Sequence, residues 1–228
     1  MKNKRLAALM AAMLIGLFSV AYAETVTTLT EAQINAADAE REIPADATSA
    51  AAPAEAAAAA VTLPMPAPPA PPRQGEAVNW WNGGNGMVPV GQPIQLVDVW
   101  TGKTFMAVRT YGHNHADMEP ATQADTQIMK SIWGGSWSWE RRPFVAVING
   151  RNIAVSCAGM PHAGLDRFAA EAWVKGRSGG FGSGLNLDKV KGNGVDGHFD
   201  MHLLSSKTHG TGRVDPKHQA MIKIAAGN

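Results

Sequence analysis

The sequence is poor in cysteine and in net charge. Cys157 is the single cysteine among 228 residues, so the chain forms no internal disulfide. Its small, mostly apolar neighbours favour a buried cysteine over a reactive thiol. The formal net charge is +1, and no basic run follows the first five residues. Binding to nucleic acid or to an anionic membrane therefore lacks its electrostatic basis.

Long apolar runs are also missing. The one at residues 6–20 is short for a membrane-spanning helix. It follows a basic segment and precedes Ala21-Tyr22-Ala23, which is typical of a secretory signal peptide cleaved before Glu24. We therefore predict a signal peptide at residues 1–23, export of the mature chain to the periplasm or cell wall, and no stable membrane insertion after cleavage. A retained membrane anchor is the alternative.

Residues 24–77 have low complexity, being rich first in alanine and then in proline. Such a segment cannot build a core, so we predict a disordered Ala/Pro-rich tether that is extended in its second half. All seven tryptophans and all seven histidines lie after residue 78. This change in composition places the folded domain at residues 78–228.

Within the domain the patterns predict an α+β fold, a small and mainly antiparallel β domain with two or three short helices. Residues 94–100 and 104–109 are predicted to form one hairpin. Residues 144–148 and 152–156 are predicted to form a second one around Asn149-Gly150, a typical type I′ turn. Helices are predicted at residues 122–132, at residues 165–175 and from residue 215 to about residue 226.

Residues 198–203 have the alternation of a β-strand. Phe199, Met201 and Leu203 share one face and suit a core, whereas two imidazoles and a carboxylate share the other face. A histidine and an aspartate at residues 115 and 117 have the same spacing. Two further histidines stand next to turn-forming residues, His162 after Pro161 and His209 before Gly210. At these positions the chain can turn back towards the same site.

Histidine and carboxylate side chains are common zinc ligands, and a catalytic zinc site keeps one position for water. We therefore predict zinc as a candidate cofactor, with structural histidines as the alternative. The predicted metal ligands are His115, Asp117, His198 and His202. The predicted catalytic residues, which handle protons, are Asp200, His209 and His162. The motifs H-E-x-x-H, C-x-x-C and G-x-S-x-G do not occur.

A tryptophan- and arginine-rich segment precedes the second hairpin. Aromatic faces stack on sugar rings, and guanidinium groups bind carboxylates. The segment therefore predicts contact with substrate, core packing of the tryptophans being the alternative. The predicted substrate-binding residues are Trp137, Trp139, Arg141 and Arg142.

Several motifs resemble an uncharacterised family of exported bacterial cell-envelope proteins, often found with peptidoglycan-binding modules. The motifs are Asn114-His115-Ala116-Asp117, Trp137-Ser138-Trp139, Gly159-Met160-Pro161-His162, Gly197-His198-Phe199 and Thr208-His209-Gly210. The resemblance covers nearly the whole folded domain and implies a role in the cell envelope.

One departure from the family concerns Asp200, where relatives often carry cysteine. That cysteine arrangement is similar to the Cys/His site of L,D-transpeptidases, and Asp200 cannot act as a thiol nucleophile. The tripeptide His198-Phe199-Asp200 is also similar to the His-Phe-Asp of expansin-like double-psi barrels, in which the aspartate acts on glycan.

These features together predict a secreted enzyme that acts on peptidoglycan, with hydrolysis of a peptide bond as the leading hypothesis. One alternative is a non-catalytic peptidoglycan-binding module whose histidines are structural. Another is an L,D-transpeptidase-like domain that has lost its thiol.

Overall fold

The structure is a computed structural model that describes residues 73–228, so the predicted signal peptide and most of the predicted tether lie outside the described residues. The strands are β1 (Pro93–Asp98), β2 (Thr104–Tyr111), β3 (Ala116–Pro120), β4 (Ser138–Ile148), β5 (Arg151–Gly159), β6 (Trp173–Arg177), β7 (Gly182–Leu185) and β8 (Phe199–His202). The longer helices are α1 (Gln123–Ile132) and α2 (Pro216–Ala225). Short helical turns occupy Trp80–Gly84, Asn85–Met87 and Ser178–Gly180.

Six strands close into a barrel in the order β1-β2-β3-β8-β5-β4, and every pair in it is antiparallel. Strands β6 and β7 form a separate hairpin. The prediction of a small, mainly antiparallel α+β domain with a few short helices is confirmed. Both predicted hairpins of the barrel are present. Asn149 and Gly150 have φ values of 50° and 77°, the left-handed conformation that a type I′ turn needs.

The barrel interior is the main hydrophobic core. Phe199, Met201 and Leu203 are buried in it, as the alternation along their strand predicts. The ring of Phe105 contacts those of Phe144 and Phe199, with ring centroids 6.1 and 6.0 Å apart. The single cysteine, on β5, is fully buried in the same core, and burial raises the pKa of its thiol well above the ordinary value. Its predicted role as a small buried apolar residue fits this position.

Both helices begin where the sequence predicts. The side chain of Thr122 accepts a hydrogen bond from the backbone N–H of Asp125 at the start of α1. The carboxylate of Asp215 accepts one from Lys217 N–H at the start of α2, with Pro216 at the first helical position. In the part of the chain that the structure describes, no helix is both long and apolar enough to cross a membrane.

Among the described residues, those just before the predicted boundary at residue 78 already contact the domain. The backbone N–H of Gly75 donates to the carbonyl of Ala225 on α2, and Glu76 pairs in parallel with Ile153 on β5. A Cβ at residue 75 would lie 2.6 Å from the Ala154 backbone nitrogen, so only glycine fits this close approach. The start of the domain is therefore fastened to both β5 and α2.

The predicted helix at residues 165–175 is wrong. The chain forms turns there before entering β6 at Trp173. The buried side chain of Asn186 accepts a hydrogen bond from Leu165 N–H and donates to the carbonyls of Leu165, Phe168 and Ala169. Residue 171 also has a φ of 64°, outside the helical region. A distant side chain thus replaces the hydrogen bonds that a helix would make.

We expect Asn186→Ala to lower the free energy of unfolding by about 1–3 kcal/mol, because it leaves several buried backbone groups without a partner. Urea denaturation followed by tryptophan fluorescence measures the change. Asn152→Ala is the control, since residue 152 is exposed and should change stability little. Equal stability of the two variants would contradict this role of Asn186.

Candidate functional site

Strands β3 and β8 lie side by side in the barrel and bring two carboxylates together. Their antiparallel register places Asp117 directly opposite Asp200. Side chains opposite each other on neighbouring strands share one face of the sheet. The two aspartates therefore meet on the face opposite the core. His115 just before β3 and His202 at the end of β8 join them, as the spacing in each strand predicts.

Two loops supply further imidazoles. His162 pairs with His198 through two backbone hydrogen bonds, with N···O distances of 2.9 and 3.1 Å. The loop after β8 returns His209, whose Nε2 lies 3.0 Å from Asp117 Oδ1. The structure thus brings together all the side chains that were predicted as metal ligands or as catalytic residues. We call this set the His/Asp cluster: His115, Asp117, His162, His198, Asp200, His202 and His209.

Two glycines allow this convergence. Gly112 has a φ of 96°, and a Cβ there would collide with the carbonyl oxygen of His115 and lie 2.9 Å from Asp117 Oδ1. Gly197 has a φ of 90°, and a Cβ there would collide with the carbonyl oxygen of His162. Both positions combine a left-handed conformation with a close approach, which only glycine tolerates well.

The nitrogen–oxygen separations in the cluster fit metal ligands. His115 Nε2 lies 3.2 Å from Asp200 Oδ1 and 3.3 Å from Asp117 Oδ1. His162 Nε2 lies 3.4 Å from Asp200 Oδ1. Two ligand atoms that each bind one tetrahedral zinc at about 2.0–2.1 Å are about 3.3 Å apart. Little rearrangement is therefore needed for these atoms to share a cation.

Three of the rings are oriented by backbone carbonyls. The Nδ1 atoms of His115, His162 and His198 lie 2.8–3.0 Å from the carbonyl oxygens of Lys207, Met160 and Leu187. A carbonyl only accepts, so each Nδ1 carries the hydrogen and each Nε2 faces the carboxylates. Metal-bound histidines are held in the same way. Each Nε2 must then either carry a second proton or meet a cation.

Neighbouring histidines favour the ionised form of both buried carboxylates. Burial alone would raise the pKa of Asp117, but positive charge on His209 and His198 lowers it below its ordinary value. Burial opposes ionisation of Asp200 too, yet His162 and His115 hold its pKa well below the usual range. The Asp117 side chain is fully buried and that of Asp200 is 15% exposed. Two such anions require nearby positive charge, from imidazolium or from a metal ion.

The ligand atoms fall into three groups whose members all lie within 4.8 Å of one another. The groups are His115 with Asp117 and His209, His115 with Asp200 and His202, and His162 with His198 and Asp200. The first and third groups have no residue in common. Solvent reaches the cluster at Asp200, whose side chain is 15% exposed, whereas the side chain of His209 is only 6% exposed.

His202 of the cluster also forms a stacked pair with His218, a histidine outside the cluster. The rings of His202 and His218 stack with centroids 3.8 Å apart, and His218 Nδ1 lies 2.8 Å from the Ser156 hydroxyl. Burial lowers the pKa of both imidazoles, that of His218 to about 3. His218 anchors α2 to β5 through Ser156, 62 residues away in the chain, and to β8 through His202.

This pair predicts acid sensitivity of the metal-free protein. An unfolded histidine gains a proton near pH 6.5, whereas His218 in the folded chain gains one near pH 3. The unfolded state thus binds more protons in between, so stability is lost as pH falls through this window. We expect the free energy of unfolding to fall by about 2 kcal/mol between about pH 7.5 and pH 5 because of His218.

Urea denaturation with a chelator present measures this pH dependence, which His218→Gln should reduce. An unchanged slope in that variant would contradict it.

The residues predicted to bind substrate are dispersed. The ring of Trp139 contacts that of His162, with centroids 5.1 Å apart, whereas Trp137 packs against the main core. Arg141 donates to the carboxylate of Asp215 at the start of α2. Arg142 donates through two nitrogens to the fully buried Asp98 carboxylate. Both guanidinium groups thus have structural partners, and substrate contact by these residues stays a prediction.

Sequence reasoning missed Trp81, which is 45% exposed and contacts the loop that leads from β8 to His209. Its indole N–H donates to the Ser205 carbonyl, and its ring lies 5.3 Å from Lys207 Nζ. The carbonyl of the same lysine orients His115. The contact with Ser205 spans 124 residues, so no local pattern could have indicated it.

Comparison of the chain with protein-family models, with curated proteins and with solved structures finds no match. The geometry and chemistry of the His/Asp cluster are therefore the features of the chain that bear on its function. The resemblance to exported envelope proteins stays a prediction from the motifs.

Proposed function

We propose that the protein is an exported, metal-dependent peptidoglycan hydrolase that cleaves a peptide bond. The observation that carries this proposal is the convergence of His115 Nε2, His209 Nε2 and Asp117 Oδ1, with nitrogen–oxygen distances of 3.3 and 3.0 Å. Two imidazoles and one carboxylate form a common catalytic zinc set with a position left for water. The ionised, fully buried Asp117 supplies the negative charge that a cation requires.

His115, Asp117 and His209 would hold the zinc ion, which polarises the scissile carbonyl and acidifies water when bound. Asp200 lies at the solvent-reachable edge, with Oδ1 3.2 Å from His115 Nε2. In this position its carboxylate accepts the proton of the attacking water. The same carboxylate then returns this proton to the leaving amine.

Peptidoglycan is proposed as the substrate for three reasons. The sequence begins with a predicted signal peptide and tether, which suit a protein that reaches into the cell wall. Its motifs resemble those of envelope proteins. In addition, Trp139 contacts His162 of the cluster, Trp81 contacts Lys207, whose carbonyl holds His115, and aromatic faces stack on sugar rings.

The test is digestion of purified sacculi by the purified protein with zinc, with a chelator, and with zinc restored. We expect soluble fragments with new amino termini, lost on chelation and recovered with zinc. Asp200→Asn should abolish release, whereas Glu140→Gln, which changes an exposed carboxylate outside the cluster, should not. Binding of the protein to sacculi without release under any metal condition would refute the hydrolase and favour a non-catalytic binding module.

A further inference from the structure

We propose that the His/Asp cluster binds two divalent cations, the second on His162, His198 and Asp200 with Asp117 bridging the pair. This inference rests on the proposed function only for the first cation, on His115, Asp117 and His209. The two ligand groups share no residue, and each gathers its atoms within 4.8 Å. Together they offer more donors than the four that one tetrahedral zinc takes.

The carboxylate of Asp117 lies where it can bridge the two cations. Its Oδ1 lies between His115 and His209 of the first group. Its Oδ2 is buried and has no hydrogen-bond partner among the described residues, and His198 Nε2 of the second group lies 4.0 Å away. A buried carboxylate oxygen without a hydrogen-bond partner is costly unless a cation meets it. A carboxylate shared in this way suits two metals about 3.5–4 Å apart.

The second group is also built as a rigid ligand set. His162 and His198 are bonded to each other through their backbones, and a carbonyl holds Nδ1 of each ring. Their rings lie 4.4 Å apart and are 3% and 0% exposed. Their Nε2 atoms face the two carboxylates, and Asp200 Oδ1 lies within 3.4 Å of both His162 and His115. Asp200 therefore adjoins both groups.

The net charge of the site with two cations bound also favours one kind of substrate. Two divalent cations carry four positive charges and two aspartates carry two negative ones, so the loaded site keeps a positive charge. A substrate with a carboxylate near the scissile bond would bind such a site favourably. Stem peptides of peptidoglycan carry carboxylates of this kind, whereas a bare glycan chain of neutral sugars does not.

The test measures metal content and therefore does not depend on activity. The metal-free full chain is titrated with Zn²⁺ by calorimetry, and metal content is checked by mass spectrometry after dialysis. We expect two zinc ions per wild-type chain and one in His198→Gln. His113→Gln, which removes a histidine outside all three ligand groups, should keep two. Circular dichroism checks that each variant is folded.

A second measurement needs no variant. Two Co²⁺ ions joined by a carboxylate couple magnetically, so the paramagnetic resonance signal of the first equivalent should weaken as the second binds. One zinc per wild-type chain would overturn the second site and leave the proposed hydrolase intact. No binding would overturn both proposals. Two cobalt ions with uncoupled signals would overturn the shared site, since the ions would then lie apart.

Discussion

We expect Asp117→Asn to bind Zn²⁺ at least about 100-fold more weakly than the wild-type chain and to release no fragments from sacculi. Changes in groups that only orient metal ligands cost about 10–100-fold in affinity, so loss of a charged ligand should reach or exceed that range. Asp117 is also the fully buried carboxylate around which His115, His198 and His209 gather. Calorimetric titration measures the affinity, and digestion of sacculi measures the activity.

Glu140→Gln is the matched control for Asp117→Asn, because it removes the same charge at an exposed position outside the cluster. Its zinc affinity and fragment release should equal those of the wild type. If Asp117→Asn is folded by circular dichroism and binds zinc as the wild type does, Asp117 is not a ligand and the assignment fails. A parallel loss in both variants would instead indicate a general effect of net charge.

The strand pattern predicted much of the cluster because period-two alternation is a local property. It placed His198, Asp200 and His202 together, and it indicated that they lie opposite the core face. It could not give the register that sets Asp117 against Asp200, which depends on how β3 and β8 meet in the closed barrel. The sequence therefore indicated which side chains belong to the site, whereas their pairing needed the fold.

Failures of the sequence-based predictions have a common physical cause. The helix predicted at residues 165–175 is replaced by turns because Asn186 takes its backbone partners from a distance. Trp81 contacts the loop before His209, which lies far away in the chain. Neither long-range contact leaves a periodic signal, and propensity yields to tertiary contacts in such places.

The orientation of the rings leaves two states open to the cluster, imidazolium–carboxylate pairs and a metal centre. A structural histidine needs one partner for each ring nitrogen, and a neutral ring has one donor and one acceptor. His115, His162 and His198 use the donor on a backbone carbonyl and then face carboxylates, which only accept when ionised. Protons or cations must fill those contacts. Protons and zinc ions compete for the Nε2 atoms, so we expect zinc binding to weaken as pH falls.

We expect Arg142→Ala to lower the free energy of unfolding by about 3–5 kcal/mol, the usual cost of leaving a buried charge without its partner. Asp98 is fully buried and accepts two hydrogen bonds from Arg142, at 3.0 and 2.8 Å. The guanidinium also lies 4.6 Å from the centroid of the Trp100 ring. Urea denaturation of the metal-free protein measures the loss without any contribution from zinc.

Arg151→Ala is the control for Arg142→Ala, because Arg151 pairs with Glu76 through side chains that are about half exposed. An exposed pair contributes about 0–1 kcal/mol, so this variant should unfold almost as the wild type does. The comparison also tests the predicted role of Arg142 in substrate binding. If Arg142→Ala keeps its stability but loses affinity for sacculi, the arginine serves the substrate. If Arg142→Ala loses stability but its folded fraction keeps its affinity for sacculi, the arginine serves the fold. Its ion pair with Asp98 then holds β1 against β4, its neighbour in the barrel.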